Sequence, residues 1–142
     1  MSSRLVEPSH VKLDLAAASR DGAVRSVAEL LRGDPRVGSW DAFWASIGPK
    51  QIVDLKGGVC LAHGRDEAVR DLVLAAGRLP AGADAGLPRY VFVFAIPFAM
   101  AEDYLRAVGA LARACGEGKK MALLDKAATP EEFAGSLGEL LD

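Results

Sequence analysis

The chain has 142 residues, of which 51% are hydrophobic and 25% charged, and its net charge is -2. This composition belongs to an ordinary globular domain. It excludes a disordered chain, carries no basic footprint for nucleic acid, and its two cysteines, Cys60 and Cys115, are too few for a disulfide framework. No signal peptide is visible and the longest apolar run, 90–96, is far too short to span a bilayer. The expectation is one cytoplasmic domain over residues 1–142 with no direct membrane insertion.

Residues 11–15 read as a short strand. Ser19 is a suitable N-cap for a helix whose apolar positions Val24, Val27, Ala28 and Leu31 share one face, and Gly33-Asp34-Pro35 stops it. Trp40, Phe43, Trp44 and Ile47 repeat that spacing on a shorter helix, which Gly48-Pro49 ends. Residues 59–62 form a brief apolar strand bracketed by Gly57-Gly58 and Gly64. The runs 72–76 and 90–96 are unbroken and apolar, as strands covered on both faces require. Between them, 77–88 is rich in Gly, Ala and Pro and reads as a loop.

The last third is helical. Tyr104, Leu105, Val108, Leu111, Ala112 and Cys115 make one stripe, closed by Gly116 and Gly118, and 119–127 is a further helix. Thr129-Pro130-Glu131-Glu132 has the form of a capping box with proline at the first helical position, followed by Phe133, Leu137, Leu140 and Leu141 on the buried face. The order β-α-α-β-β-β-α-α-α predicts an α/β fold, a small mixed sheet with helices packed on both faces.

His63 is the candidate functional residue. It is placed just after an apolar strand and just before Gly64 and Arg65, where a strand opens into a loop and side chains reach a crevice. A neutral imidazole offers a ring-nitrogen lone pair that can attack phosphorus, forming a labile phosphorus–nitrogen bond. Such transfer needs positioning and charge stabilisation more than covalent machinery. Arg65 supplies a charged fork, and N–H groups around Gly57, Gly58 and Gly64 offer an anion cradle. A loop histidine without a task has the same local sequence. Cys60 and His63 have loosely metal-like spacing, but a closed zinc site needs four ligands, and Cys60 suits a core position better. No phosphate-binding glycine motif for a nucleotide is present, and Trp40, Phe43 and Trp44 read as core.

The run Gly57-Gly58-Val59-Cys60-Leu61-Ala62-His63-Gly64-Arg65 resembles the active-site segment of the type-2 enzyme IIA domain of the bacterial phosphoenolpyruvate-dependent sugar phosphotransferase system. That group comprises the fructose, mannitol and nitrogen-regulatory IIA proteins. The likeness extends to residues 91–97 with Asp103-Tyr104-Leu105 downstream, to the Thr129–Glu132 helix start, and to the N-terminal strand and helix. It implies the enzyme IIA type-2 fold. It implies that His63 takes a phosphoryl group from the phosphocarrier HPr and passes it to a IIB domain, or holds it as a mark for a regulatory target protein. His63 is then the catalytic residue of a phosphotransferase component, with Arg65, Gly64 and Tyr104 around the phosphate. Neither a metal nor an organic cofactor is implied, and nucleic acid is not a partner. The chain departs from the pattern at three places. Ala62 stands where the family has proline, Tyr104 where it has a second histidine, and Ile52-Val53-Asp54 where it has a Ser-Thr-Gly-like stretch. A tyrosine hydroxyl donates one hydrogen bond but carries no positive charge.

Overall fold

A computed structural model describes residues 5–81 and 86–141. The elements run β1 (Val11–Lys12), α1 (Arg20–Ala28), α2 (Trp40–Ala45), β2 (Ile52–Leu55), β3 (Val59–Arg65), β4 (Val73–Arg78), β5 (Tyr90–Ile96), α3 (Ala101–Cys115), α4 (Gly118–Lys126) and α5 (Pro130–Leu141). The five strands form one sheet in the order β1-β4-β5-β3-β2. β1 is parallel to β4 and β3 to β5, whereas β4–β5 and β2–β3 are antiparallel, so the sheet is mixed as expected. Helices cover both faces: α3, α4 and α5 pack on one core, α1 and α2 on the other.

The two faces differ in side-chain size. β5 is buried along its whole length, and strand alternation sends its side chains to opposite faces. Tyr90, Phe92, Phe94 and Ile96 join Leu74, Leu111, Phe133 and Leu137 in one core. Val91, Val93 and Ala95 join Cys60, Ala62, Val73 and Ala75 in the other, against Val24, Val27, Leu31 and Phe43. The second face therefore carries small residues, and its helices come close. At Gly77 an added Cβ would lie 2.6 Å from Val27 Cγ2, and at Gly64 it would lie 2.6 Å from Ser46 Oγ and 2.8 Å from the Phe43 ring.

Helix starts follow their caps. Ser19 Oγ accepts from the Gly22 N–H at 3.0 Å, Ser39 Oγ from Ala42 at 3.1 Å, and Thr129 Oγ1 from Glu132 at 3.1 Å. The Thr129 hydroxyl in turn donates to Glu132 Oε1 at 3.5 Å. α1 continues past Ala28 as a 3-10 turn, Glu29–Leu31, which buries Leu31. His10 is buried and sets Nε2 3.2 Å from Asp34, whose carboxylate also accepts from Arg36. That cluster ties the segment before β1 to the loop after α1.

Three sequence expectations need correction. Residues 52–55 form a strand, β2, where no element was expected, and its hairpin to β3 uses Gly57 and Gly58 at φ +79° and +73°. β3 runs on through Gly64 to Arg65, pairing His63 with Phe94 and Arg65 with Ile96, so His63 lies in the strand and not beyond it. β4 extends to Arg78, which shortens the loop expected over 77–88; positions 82–85 of that loop lie outside the described residues.

Arg78 carries this extension into the helical layer. Its Nη1 donates to the carbonyl oxygens of Leu124 (2.8 Å), Asp125 (3.2 Å) and Ala127 (2.7 Å) at the end of α4. These are among the carbonyls a helix end leaves without an intrahelical partner. Arg78→Leu is expected to destabilise the fold by about 1–3 kcal/mol, the cost of unsatisfied part-buried polar groups. Urea unfolding measures it, and an unchanged midpoint would contradict the role given to Arg78.

Candidate functional site

Alternation along β3 decides what surrounds His63. Val59, Leu61, His63 and Arg65 point to the face of the large core, whereas Cys60, Ala62 and Gly64 point to the other. His63 therefore meets α3: its ring centroid lies 5.3 Å from that of Tyr104, with 39° between the planes. Tyr104 in turn packs edge-on against Phe94 at 5.2 Å, and Phe94 is the residue opposite His63 in β5. Three rings from β3, β5 and α3 thus form one contact, with His63 half-buried at its outer end.

Burial alone holds the His63 imidazole below its ordinary pKa of 6.5, so the ring is neutral near pH 7. Nδ1 is sealed from solvent and has no hydrogen-bond partner among the described residues. Nε2 is the ring nitrogen left open, and its lone pair is the one available to a reagent from outside. Burial also raises the Tyr104 phenol, which keeps its proton and can act as a donor.

The other sequence candidates are distributed unequally. Arg65 shares the face of His63 two residues on, about 6.6 Å along the strand. Its Nη2 donates to the Phe98 carbonyl oxygen at 2.8 Å, and its guanidinium stands 5.1 Å from the Phe98 ring centroid. Gly64 is placed between them in sequence but opens to the opposite face, where the absence of a side chain admits Phe43 and Ser46. Gly57 and Gly58 do not join this group. They sit in the β2–β3 hairpin at the far end of β3, where the Gly58 carbonyl accepts from Arg89 and Tyr90. The anion cradle expected from them is therefore a turn.

Asp54 also lies away from His63. It is opposite Cys60 in the β2–β3 ladder and so shares the small face, where it pairs with Arg20 at 3.0 Å. Cys60 is buried there, its thiol pushed up to about 11 chiefly by desolvation, and three residues' spacing in a strand turns it away from His63. The cysteine–histidine pairing considered from sequence has no geometric basis. Phe98 and Leu105 were missed as site neighbours: they are 54% and 62% exposed, beside Arg65 and Tyr104 respectively. Leu105 was read as part of a buried stripe, and periodicity in an amphipathic helix does not separate its inner from its outer flank.

Two measurements check this geometry. Gly64→Ala is expected to cost about 1–3 kcal/mol through overpacking against Phe43 and Ser46, and Phe43→Leu in the same chain to recover part of it, read by urea unfolding. Additivity of the two substitutions would contradict the contact. For pH, the unfolded imidazoles titrate near 6.5 while folded His10 and His63 titrate lower, both chiefly through desolvation. The unfolded chain then binds more protons below 6.5, so stability is complete above that value and falls as the pH drops through the folded pKa values. A His63 titration midpoint at or above 6.5 by NMR would refute the burial argument.

By sequence, no protein-family profile and no curated protein matches the chain. By structure it is similar to nitrogen regulatory protein IIA-Ntr from Neisseria meningitidis, with a TM-score of 0.73 and 23% identity over 95% of this chain and 97% of that one. The mannitol-specific cryptic phosphotransferase enzyme IIA from Escherichia coli gives 0.68 and 17%, covering 97% and 98%. IIA mannitol from Escherichia coli gives 0.67 and 17%, covering 92% and 97%. The sheet and its two helical layers thus match the enzyme IIA type-2 α/β fold.

Proposed function

We propose that the chain is a phosphoryl carrier of the phosphoenolpyruvate-dependent phosphotransferase system, with His63 as the accepting residue. The observation that carries this reading is the His63 imidazole itself: neutral, half-buried, with Nδ1 sealed so that Nε2 is the nitrogen left to react, in a fold also found in IIA proteins. The lone pair on Nε2 attacks the phosphorus carried by HPr. The bond from phosphorus to the donor nitrogen breaks as the new one forms, and the donor ring leaves with that electron pair. The Tyr104 hydroxyl donates a hydrogen bond to a phosphate oxygen, the Gly64 backbone lines the strand beside it, and Arg65 turns from the Phe98 carbonyl to the anion. The group then passes to a IIB domain or stays as a mark read by a regulatory partner. No metal or organic cofactor takes part in this reading.

Exposed Phe98 and Leu105, next to Arg65 and Tyr104, support a protein as the donor and acceptor, since apolar side chains beside a reacting group suit a macromolecular face better than a small sugar phosphate. The second reading is a regulatory IIA-like protein that acts by binding partners and is weakly phosphorylated. Tyr104 in place of a histidine favours it, because an uncharged donor stabilises the transferring phosphoryl group less than an imidazolium does. In neither reading is nucleic acid a partner. Among the described residues no helix is long and apolar enough to cross a membrane.

Incubation with phosphoenolpyruvate, enzyme I and HPr is expected to add one acid-labile phosphoryl group, seen by intact mass, and His63→Ala to abolish it. Arg65→Ala is expected to slow labelling about tenfold, the scale of one lost charge-assisted bond. An unlabelled wild-type chain, under conditions that label a known IIA protein, would leave the binding reading alone.

A further inference from the structure

Arg65 closes β3 with its side chain on the face of His63, and its guanidinium contacts among the described residues are both with Phe98. Nη2 donates to the Phe98 carbonyl oxygen at 2.8 Å, and the guanidinium carbon stands 5.1 Å from the Phe98 ring centroid. Phe98 lies two residues past Ile96, the residue of β5 that pairs with Arg65. The guanidinium therefore leans off the end of the strand, away from His63. Among the described residues no carboxylate pairs with Arg65: Asp66, next in the chain, accepts from the Ala68 N–H at 2.9 Å, and Glu67 is exposed. A neutral carbonyl and an aromatic face are what hold this charge in place.

Both contacts are of the weak kind. A guanidinium bonded to a neutral carbonyl at an exposed position competes with water, and a cation over an exposed aromatic ring is attracted only modestly. A phosphoryl group on Nε2 of His63 changes that competition. It brings negative charge and three acceptor oxygens to the same face, two residues back along the strand. A guanidinium meets such oxygens with two parallel charge-assisted bonds, each about twice as strong as a neutral one. One side chain cannot serve both places, because Phe98 lies past the strand end and His63 before it. The choice has a second effect, since Phe98 is already 54% exposed and Arg65 is the cation stacked on its ring. When the guanidinium leaves, the ring loses that cover and the positive charge beside it.

We propose that Arg65 is a two-position switch that displays the state of His63 through Phe98. It is held at Phe98 while His63 is free and crosses to the phosphoryl group once His63 carries one. The unmodified chain then shows a guanidinium-capped ring at this place, and the phosphorylated chain a bare ring with the positive charge neutralised. This rests on the phosphoryl-acceptor reading and deepens it, from which residue is marked to how the mark is displayed. The two forms differ in apolar surface and in charge, the properties by which a protein partner tells them apart.

The test loads the chain either through HPr or with phosphoramidate, a small donor that needs no docking. Peptide mapping locates the label on His63, and NMR compares the two forms. In the free chain, nuclear Overhauser contacts are expected between the Arg65 side-chain protons and the Phe98 ring. In the labelled chain these contacts are expected to be lost, with the Arg65 Nε–H and Phe98 ring resonances shifted. Arg65→Met, loaded for longer to offset slower labelling, is expected to leave the Phe98 ring resonances in the same place in both forms. Retention of the Arg65–Phe98 contacts in labelled wild type overturns the proposal, as does their absence from the free chain. A Phe98 shift of equal size in the variant overturns it too, and the wild-type comparison stands whatever the fate of that variant. Loading of His63 by neither donor overturns the phosphoryl-acceptor reading instead.

Discussion

All seven residues of β5 are buried, and their alternation places aromatic and branched side chains on one face and small ones on the other. The sheet inherits that division. On the small face, Ala62, Gly64, Ala75, Gly77 and Ala95 let α1 and α2 approach closely, and Gly64 and Gly77 are without side chains because Phe43, Ser46 and Val27 occupy the space. On the large face, Phe92, Phe94 and Tyr90 hold α3 and α5 further out. A histidine in β3 with the parity of Leu61 is compelled to emerge among those rings. The chemistry of His63 is therefore a consequence of packing: the same rings that give it a neutral, desolvated imidazole also close one of its nitrogens.

Much of this was legible in the residues. The unbroken apolar run of β5 is what a strand covered on both faces demands, and the structure places it over Tyr90–Ile96. Ser19 and Thr129 announced their helices because an N-cap hydroxyl is a local device that needs no tertiary partner. β2 escaped because Ile52-Val53-Asp54-Leu55 is short, lies at an edge and carries a charge, so neither alternation nor an apolar run marks it. The signal that finds it is Gly57-Gly58 read as a hairpin connection.

The sequence singles out His63, the proposed acceptor, more readily than it does the surroundings of that residue. Gly64 looked like a strand breaker, whereas the structure uses it as a strand residue whose missing side chain accommodates Phe43. That difference moves His63 from a loop into the ladder and changes its environment from solvated to half-buried. The contact with Tyr104 joins positions forty-one residues apart, and only the resemblance suggested it. The attachment of Arg65 to the Phe98 carbonyl and the opposite facing of Asp54 depend on three-dimensional closure that no local pattern encodes.

The ends of the sheet add one more consequence. β1 contributes two residues, and β2 four, with Asp54 held in an exposed ion pair to Arg20. Short, charged borders of this kind give an extended peptide little backbone to pair with. A second protein is therefore not recruited here by lengthening the sheet, a mode whose affinity comes from main-chain hydrogen bonds. On the proposed function, a partner would instead be read through side chains standing at the strand ends and on the first turns of α3, where shape and apolar complementarity set the choice. Discrimination among related partners then rests on a few exposed positions that can change without disturbing the ladder beneath them.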